Sequence, residues 1–294
     1  MHITGLPKAP MQLPEPRSNL IPGTAVSLGA GVRRIVAPNA GLMTGPGTNT
    51  YLLGTNEIAV LDPGPHDDEH LRAIMSAAGG RVRWVVVTHT HRDHSPLAQV
   101  LARQTGARLI GLPPPADGRQ DESFRPDLCP RDGEALVLGD VALTAIHTPG
   151  HASNCVCYLL ADERLLFTGD HVLEGVTPVI LPPDGDMTAY MDSLNKLEVC
   201  DFERIAPGHG AILPRGKRML ALLRAHRLGR EEKVLAKMSD LGPVTLARLT
   251  PAVYDDVPPE RHAWAMLTLE AHLIKLVRDG RAAEDKGIWR LNRS

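Results

Sequence analysis

Thr88-His89-Thr90-His91-Arg92-Asp93-His94-Ser95 decides the reading of this chain. Three imidazoles and a carboxylate fall within six positions, directly after the apolar run Trp84-Val85-Val86-Val87. Such a run reads as a buried strand, and an α/β protein builds its reactive site outside the carboxyl ends of its strands. Imidazole and carboxylate are donors for zinc or iron. His89 and His91 are two apart, so on extended backbone they point to one side. Asp93 and His94 follow on a turn and face a second point nearby, so one short loop can serve two ions.

Other strand ends repeat the pattern of short apolar run, glycine-containing turn, then His or Asp. Val141–Ile146 leads to Thr148-Pro149-Gly150-His151, Arg164–Phe167 to Thr168-Gly169-Asp170-His171, and Arg204–Ala206 to Pro207-Gly208-His209-Gly210. A His-rich surface turn explains one such cluster. Four strand ends with the same grammar point to a metal site.

The set His89, His91, Asp93, His94, His151, Asp170 and His209, in this order, resembles the metallo-β-lactamase-fold superfamily. The resemblance implies that His89, His91 and His151 hold one divalent metal ion, that Asp93, His94 and His209 hold a second, and that Asp170 bridges them. It makes Asp62, after Ile58–Leu61, a carboxylate that braces the ligand loop; otherwise it is an ordinary turn aspartate before Pro63-Gly64. Zinc is the expected metal, with iron or manganese also accepted by these donors. Two ions roughly 3.5–4 Å apart can share a water, lower its pKa to about 7 and polarise the scissile oxygen. A metal-bridging hydroxide then serves as nucleophile, with Asp93 and Asp170 as catalytic carboxylates. His171 either contacts substrate, shuttles a proton or simply packs.

The chain has 294 residues, 43% of them hydrophobic, and no apolar stretch of membrane-spanning length. Four cysteines and no charged-then-apolar leader fit a cytoplasmic protein, and the Pro- and Arg-rich composition suggests a bacterial one. Cys155 and Cys157 share one face of a strand and read as buried thiols. The expected architecture is α/β: an αββα sandwich with a small C-terminal winged-helix-like domain. Residues 1–30 form a Pro/Gly-rich lead, 31–215 the catalytic domain and 216–294 the tail. Helices are expected over Asp67–Ala78, Pro96–Gln104 (capped by Ser95) and Thr188–Glu198, with a surface loop over Leu112–Arg131. Val176–Gly185, with three prolines, either walls the pocket or simply connects.

In the tail, helical spacing covers Met219–Leu241, Val244–Val253 and Glu260–Val277, the last with Trp264, Leu267, Ala271 and Ile274 on one stripe. Arg281–Ala283 and Ile288–Leu291 make a hairpin. Net charge is −2 overall, yet from Lys217 onward 15 Lys+Arg face 10 Asp+Glu. Arg224-Ala225-His226-Arg227-Leu228-Gly229-Arg230 is the best basic patch. It either touches phosphates or is a solvated face paired with Glu231 and Glu232.

The tail makes the chain resemble the lactamase-β-like protein 2 group, through Gly45–Gly54, Thr88–Ser95 with Arg92, Pro207–Gly210, and His226-Arg227 with Arg230-Glu231. Animal members are mitochondrial endoribonucleases, which implies hydrolysis of single-stranded RNA. The alternative is hydrolysis of small esters, thioesters (as in glyoxalase II) or lactones. The third reading is a nucleic-acid-binding regulator with a structural metal site. Asp170 stands where antibiotic-hydrolysing zinc lactamases commonly have cysteine, which disfavours that activity. A nuclease needs a positive groove leading from the metals, and a small-ester enzyme a closed apolar pocket. The oligomeric state stays open.

Overall fold

Runs of aliphatic and aromatic residues four to seven long, broken by Gly, Pro and Asp turns, dictate a layered β structure. The computed structural model describes residues 20–292; residues 1–19 of the Pro/Gly-rich lead lie outside it. One sheet has the order β1-β2-β3-β4-β5-β6. Its strands are β1 (Val26–Gly29), β2 (Val32–Val36), β3 (Asn49–Leu53), β4 (Ile58–Leu61), β5 (Val82–Val86) and β6 (Arg108–Ile110). Thus part of the expected lead is an edge strand. The second sheet comprises β7 (Ala135–Leu138), β8 (Val141–His147), β9 (Val156–Leu160), β10 (Leu165–Gly169) and β11 (Arg204–Pro207). Its order is β11-β10-β9-β8-β7.

Tyr51, Leu53, Leu61 and Val86 of the first sheet meet Leu143, Tyr158 and Phe167 of the second in one buried core. Tyr51 and Phe167 touch edge-on, with centroids 5.0 Å apart, a favoured aromatic geometry. The outer face of the first sheet is covered by α1 (Asp68–Ala78) and α2 (Pro96–Thr105). That of the second is covered by α3 (Met187–Glu198) and the first turns of α4 (Gly216–Leu241). Four layers result, as expected.

Local chemistry sets the helix starts. Asp67 accepts from the His70 amide at 2.7 Å, and Asp186 from the Thr188 and Ala189 amides at 2.8 and 3.1 Å, both side-chain caps. Ser95 differs from expectation. It makes no capping bond, and its hydroxyl instead donates to Asp121 at 2.8 Å, because the loop over Leu112–Arg131 folds back on the helix start.

The tail is a winged-helix domain. It contains the rest of α4, β12 (Val244–Thr245), α5 (Leu246–Val253), α6 (His262–Arg278), β13 (Ala282–Asp285) and β14 (Ile288–Leu291), with sheet order β12-β14-β13. Val244 and Thr245, expected as helix, form the third strand of the wing by pairing with Trp289 and Ile288. Two residues are too few for a period to show in sequence.

Helix α4 serves both units. Met219, Leu220 and Leu223 belong to the outer core of the catalytic domain, and Val234 and Met238 to the core of the tail. The expected stripe of α6 is corrected too. Leu269, Leu273 and Leu276 fill the tail's own core, whereas Ala271 joins the catalytic domain's outer core and Trp264 is 40% exposed. Among the described residues no helix is long and apolar enough to cross a membrane.

Replacing Phe167 by alanine removes the aromatic that joins the two sheets. It should lower stability by about 3–5 kcal/mol, read as a lower urea midpoint with an unchanged slope; a shift under about 1 kcal/mol would mean the two sheets do not depend on this contact.

Candidate metal centre

Five strand ends converge at one edge of the sandwich. Asp62 follows β4, the Thr88–Ser95 loop follows β5, His151 lies beyond β8, Asp170 follows β10 and His209 follows β11. Nitrogens of His89, His91 and His151 form one group, and donor atoms of Asp93, His94, Asp170 and His209 a second; within each group all donor atoms lie within 4.8 Å of one another.

The far side of each ring decides what its near nitrogen can do. His151 Nδ1 donates to the Val179 carbonyl at 2.7 Å, and His209 Nδ1 to the Gly47 carbonyl at 3.1 Å. His94 Nδ1 donates to Asp62 at 3.0 Å. The Thr88 hydroxyl donates to Asp62 at 2.7 Å, so it accepts from His89 Nδ1 at 3.1 Å. Each of these four rings thereby commits Nδ1 outward and turns Nε2, the nitrogen left to hold an ion, toward the centre.

His89 Nε2 and His151 Nε2 each lie 3.0 Å from His91 Nδ1. One ring proton cannot satisfy both contacts. Three donors on a tetrahedral ion at about 2.0–2.1 Å would stand ~3.3 Å apart, so the spacing suits a shared cation. In the second group, His94 Nε2 and His209 Nε2 both approach Asp170 Oδ1 at 3.3 Å. Yet all three atoms are buried without a hydrogen-bond partner. They are close but aimed at a common point rather than at one another. A buried polar atom without a partner is costly, and an ion at that point removes the cost. The donors fit divalent metal ions.

Electrostatics separates the groups. Burial, reinforced by neighbouring imidazoles, drives His89 well below the usual imidazole value and His91 down to about 3. Burial would also depress His94 and His209, but the carboxylates of Asp93 and Asp170 raise His94 well above its usual value and His209 to about 9. Burial disfavours the charge on Asp93 and Asp170, yet His94 and His209 hold both well below the carboxylate range. Both remain ionised acceptors.

Residues 43–209 match the model of the metallo-beta-lactamase superfamily, and 245–289 that of the beta-lactamase associated winged helix domain. The chain belongs to the metallo-beta-lactamase superfamily. A "Beta-lactamase-like protein 2 homolog" of Caenorhabditis elegans is 30% identical over 85% of both chains. An "Atrochrysone carboxyl ACP thioesterase" of Aspergillus fumigatus is 30% identical over 78% of this chain and 75% of that one. The crystal structure of a beta-lactamase domain protein from Burkholderia ambifaria shares the fold, with a TM-score of 0.79 at 22% identity over 96% of this chain and 97% of that one. The chain is a metallo-beta-lactamase-superfamily hydrolase with a His/Asp cluster suited to metal ions.

A cleft of about 450 Å³ opens over His91, Asp93, His151 and Asp170. It is lined by Leu42, Met43, Leu173 and Val176 of the catalytic domain and by Val257, Trp264 and Ala265 of the tail, with Arg227, Arg230 and Arg261 also on its walls. Val176–Leu181 borders it, so the proline-containing loop does wall the pocket. His171 is fully buried, sits against Tyr190 with ring centroids 4.7 Å apart, and is absent from the cleft lining. It is placed to pack rather than to touch substrate.

Sequence reasoning left several supporting residues without a role. The Asn49 side chain donates to the Pro207 and Gly210 carbonyls at 2.9 and 2.8 Å, and the Tyr51 hydroxyl to Pro207 at 2.8 Å. Gly47 has φ +127°, and a Cβ there would lie 2.1 Å from the Ala37 carbonyl oxygen. The Gly45–Gly54 segment therefore clamps the His209 turn, and its glycine-asparagine spelling was the available signal. Gly208 lets the chain close on the centre, where a Cβ would meet Asp170 Oδ1 at 2.5 Å.

The basic patch on α4 is neither solvated nor paired with Glu232. Arg227, Arg230 and Glu231 are buried. Arg230 grips Asp256 with two bonds of 2.7 and 2.8 Å, and Glu231 pairs with Lys275 and Arg281 at 2.9 and 2.8 Å. Half-buried Arg224 pairs with Glu198 at 3.1 Å.

Asp62→Ala removes the bonds to the Thr88 amide, the Thr88 hydroxyl and His94 at once. Metal retention against a competing chelator should fall about 10–100-fold; unchanged retention would show that Asp62 does not hold the ligand loop.

Proposed function

We propose that this chain hydrolyses an ester or thioester of a small, largely apolar acyl substrate, using two divalent ions held by seven side chains. His89, His91 and His151 hold one ion, Asp93, His94 and His209 the other, and Asp170 lies between them. Zinc is the first choice, with iron or manganese as alternatives. The observation that carries this reading is the cleft, whose floor is ligand residues and whose walls are mainly aliphatic and aromatic. That is the lining expected for a small organic substrate. The thioesterase relative points the same way.

Bound at these donors, the ions supply an acidified water and a Lewis acid for the carbonyl oxygen. The protein supplies orientation. Asp93 is the more exposed of the two candidate ligand carboxylates, with 27% of its side chain accessible, and it faces the cleft; its ionised oxygens accept a hydrogen bond from the attacking water and orient it. Asp170, buried behind it, fixes His94 and His209 by charge. The apolar walls hold the acyl chain and exclude bulk water, and Trp264 brings the tail into the site. We take 31–215 as the catalytic domain and 216–294 as the tail, with α4 continuous across both cores. The unpaired cysteines suit a reducing cytoplasm.

Cleavage of single-stranded RNA is the second reading, favoured by the likeness to the beta-lactamase-like protein 2 homolog. It needs a run of accessible cations, whereas among the cleft arginines Arg230 is tied to Asp256 and Arg227 is buried, which leaves Arg261 as the exposed one.

The test is a metal-defined activity panel of acyl thioesters, lactones and single-stranded RNA. Thioesters should be turned over, chelation should abolish turnover and zinc should restore it. Asp93→Ala should lower kcat ~10²–10⁴-fold. Cleavage of RNA alone would transfer the case to the second reading, and full turnover by Asp93→Ala would refute the site.

A further inference from the structure

Arg227 carries a charge that the protein does not neutralise. Its residue is only 3% exposed, yet it borders the cleft. Its neighbours on α4 have acidic partners, Arg224 with Glu198 and Arg230 with Asp256. Among the described residues Arg227 has none. Its Nη2 donates to the Pro178 carbonyl, its guanidinium lies 5.2 Å from the Tyr190 ring centre, and its Nε is buried with no partner. A buried, unpaired cation is among the costliest arrangements in a folded protein.

The surroundings make matters worse rather than better. His171 and His272 are fully buried, and among the described residues neither ring nitrogen of either has a hydrogen-bond partner. Burial, then the charge of Arg227, holds His272 well below the ordinary imidazole value and His226 down to about 4. So the imidazoles around Arg227 stay neutral and offer it no counter-charge, and Asp256 is engaged by Arg230. Arg261, farther along the cleft, is exposed and solvated, so it carries no such cost.

One loop sets the location. The Pro178 carbonyl accepts from Arg227, and the next carbonyl, Val179, accepts from His151 at 2.7 Å. The guanidinium and a metal-facing imidazole are therefore anchored one peptide apart on the same wall. A group docked on Arg227 sits close to the centre while leaving the scissile bond free to lie over His91, Asp93 and Asp170.

We propose that Arg227 is a substrate-binding residue that receives a fixed anionic group, a carboxylate or a phosphate, set back from the scissile bond. This rests on the ester or thioester reading above. The planar guanidinium binds such oxyanions through paired, charge-assisted hydrogen bonds. The substrate thus supplies the counter-charge, and the aliphatic walls accept the rest of it.

The test uses the metal-loaded full chain and two substrate pairs. In the first, a glutaryl thioester is compared with its terminal-amide isostere. In the second, a butyryl thioester of phosphopantetheine is compared with that of pantetheine. In at least one pair the anionic member should have a kcat/KM about 10–100-fold higher, mostly through KM, and the responding pair shows whether the anion belongs to the acyl chain or the leaving thiol. Arg227→Gln should bring that ratio near one, and Arg227→Lys should restore part of it. A merely structural role would depress both members alike and leave the ratio unchanged. A wild-type ratio near one in both pairs overturns the proposal even if the variant fails to fold. If no thioester is turned over, the hydrolase reading fails by itself, and binding of glutarate and of inorganic phosphate is followed by the fluorescence of Trp264. Saturable binding at least tenfold weaker in Arg227→Gln supports the anion site, whereas no saturable change in the wild type overturns it.

Discussion

Buried donor atoms aimed at common points, without a hydrogen-bond partner among the described residues, are the constraint around which the rest is arranged. His94 Nε2, His209 Nε2 and Asp170 Oδ1 are buried and unpartnered although they lie 3.3 Å apart. His91 Nδ1 faces two other ring nitrogens at 3.0 Å. Without a cation this arrangement would relax, by ring rotation or by protonation. The hydrogen bonds on the outer side of the rings oppose that relaxation. Asp62 stands first among them, because one carboxylate holds the Thr88 amide, the Thr88 hydroxyl and His94. It adopts φ +49° to do so, an uncommon conformation for a non-glycine residue that aspartate tolerates better than most.

The sandwich supplies what a single loop cannot, namely donors from strands distant in sequence at a fixed separation. Packing between Tyr51 and Phe167 fixes one sheet against the other, and the Gly45–Gly54 segment carries that rigidity to His209. The tail adds a wall rather than ligands. Because α4 is buried in both cores, and Arg278 of α6 pairs with Asp186 at the start of α3, the wall formed by Val257 and Trp264 stands in fixed relation to the centre. The catalytic domain thus supplies the donor cluster and part of the cleft lining, and the tail supplies the rest of that lining.

The clustering of these His and Asp side chains was legible because each sits at a strand end behind a short apolar run, and strand ends are local features. The fold followed from those strands and from the helical spacing beyond Lys217. What stayed hidden is non-local or too short. Val244-Thr245 has no period of its own and becomes a strand only by pairing with β14. Trp264 and Leu269 lie on different faces of α6, and only the position of the catalytic domain says which face borders the cleft. Arg227 reads like Arg224 and Arg230 in a basic run. Its difference is that among the described residues no acidic side chain pairs with it, which no reading of α4 alone reveals. His171 follows a ligand directly and so invites a role, but the turn after Asp170 sends its ring back against Tyr190.

The most direct measurement of the central claim is anomalous diffraction from crystals of the protein prepared with zinc, recorded at the zinc edge. Two peaks are predicted, roughly 3.5–4 Å apart, one bounded by His89, His91 and His151 and the other by Asp93, His94 and His209, with Asp170 between them. A protein that gives no anomalous peak among these seven residues, or binds zinc only elsewhere, would contradict the account.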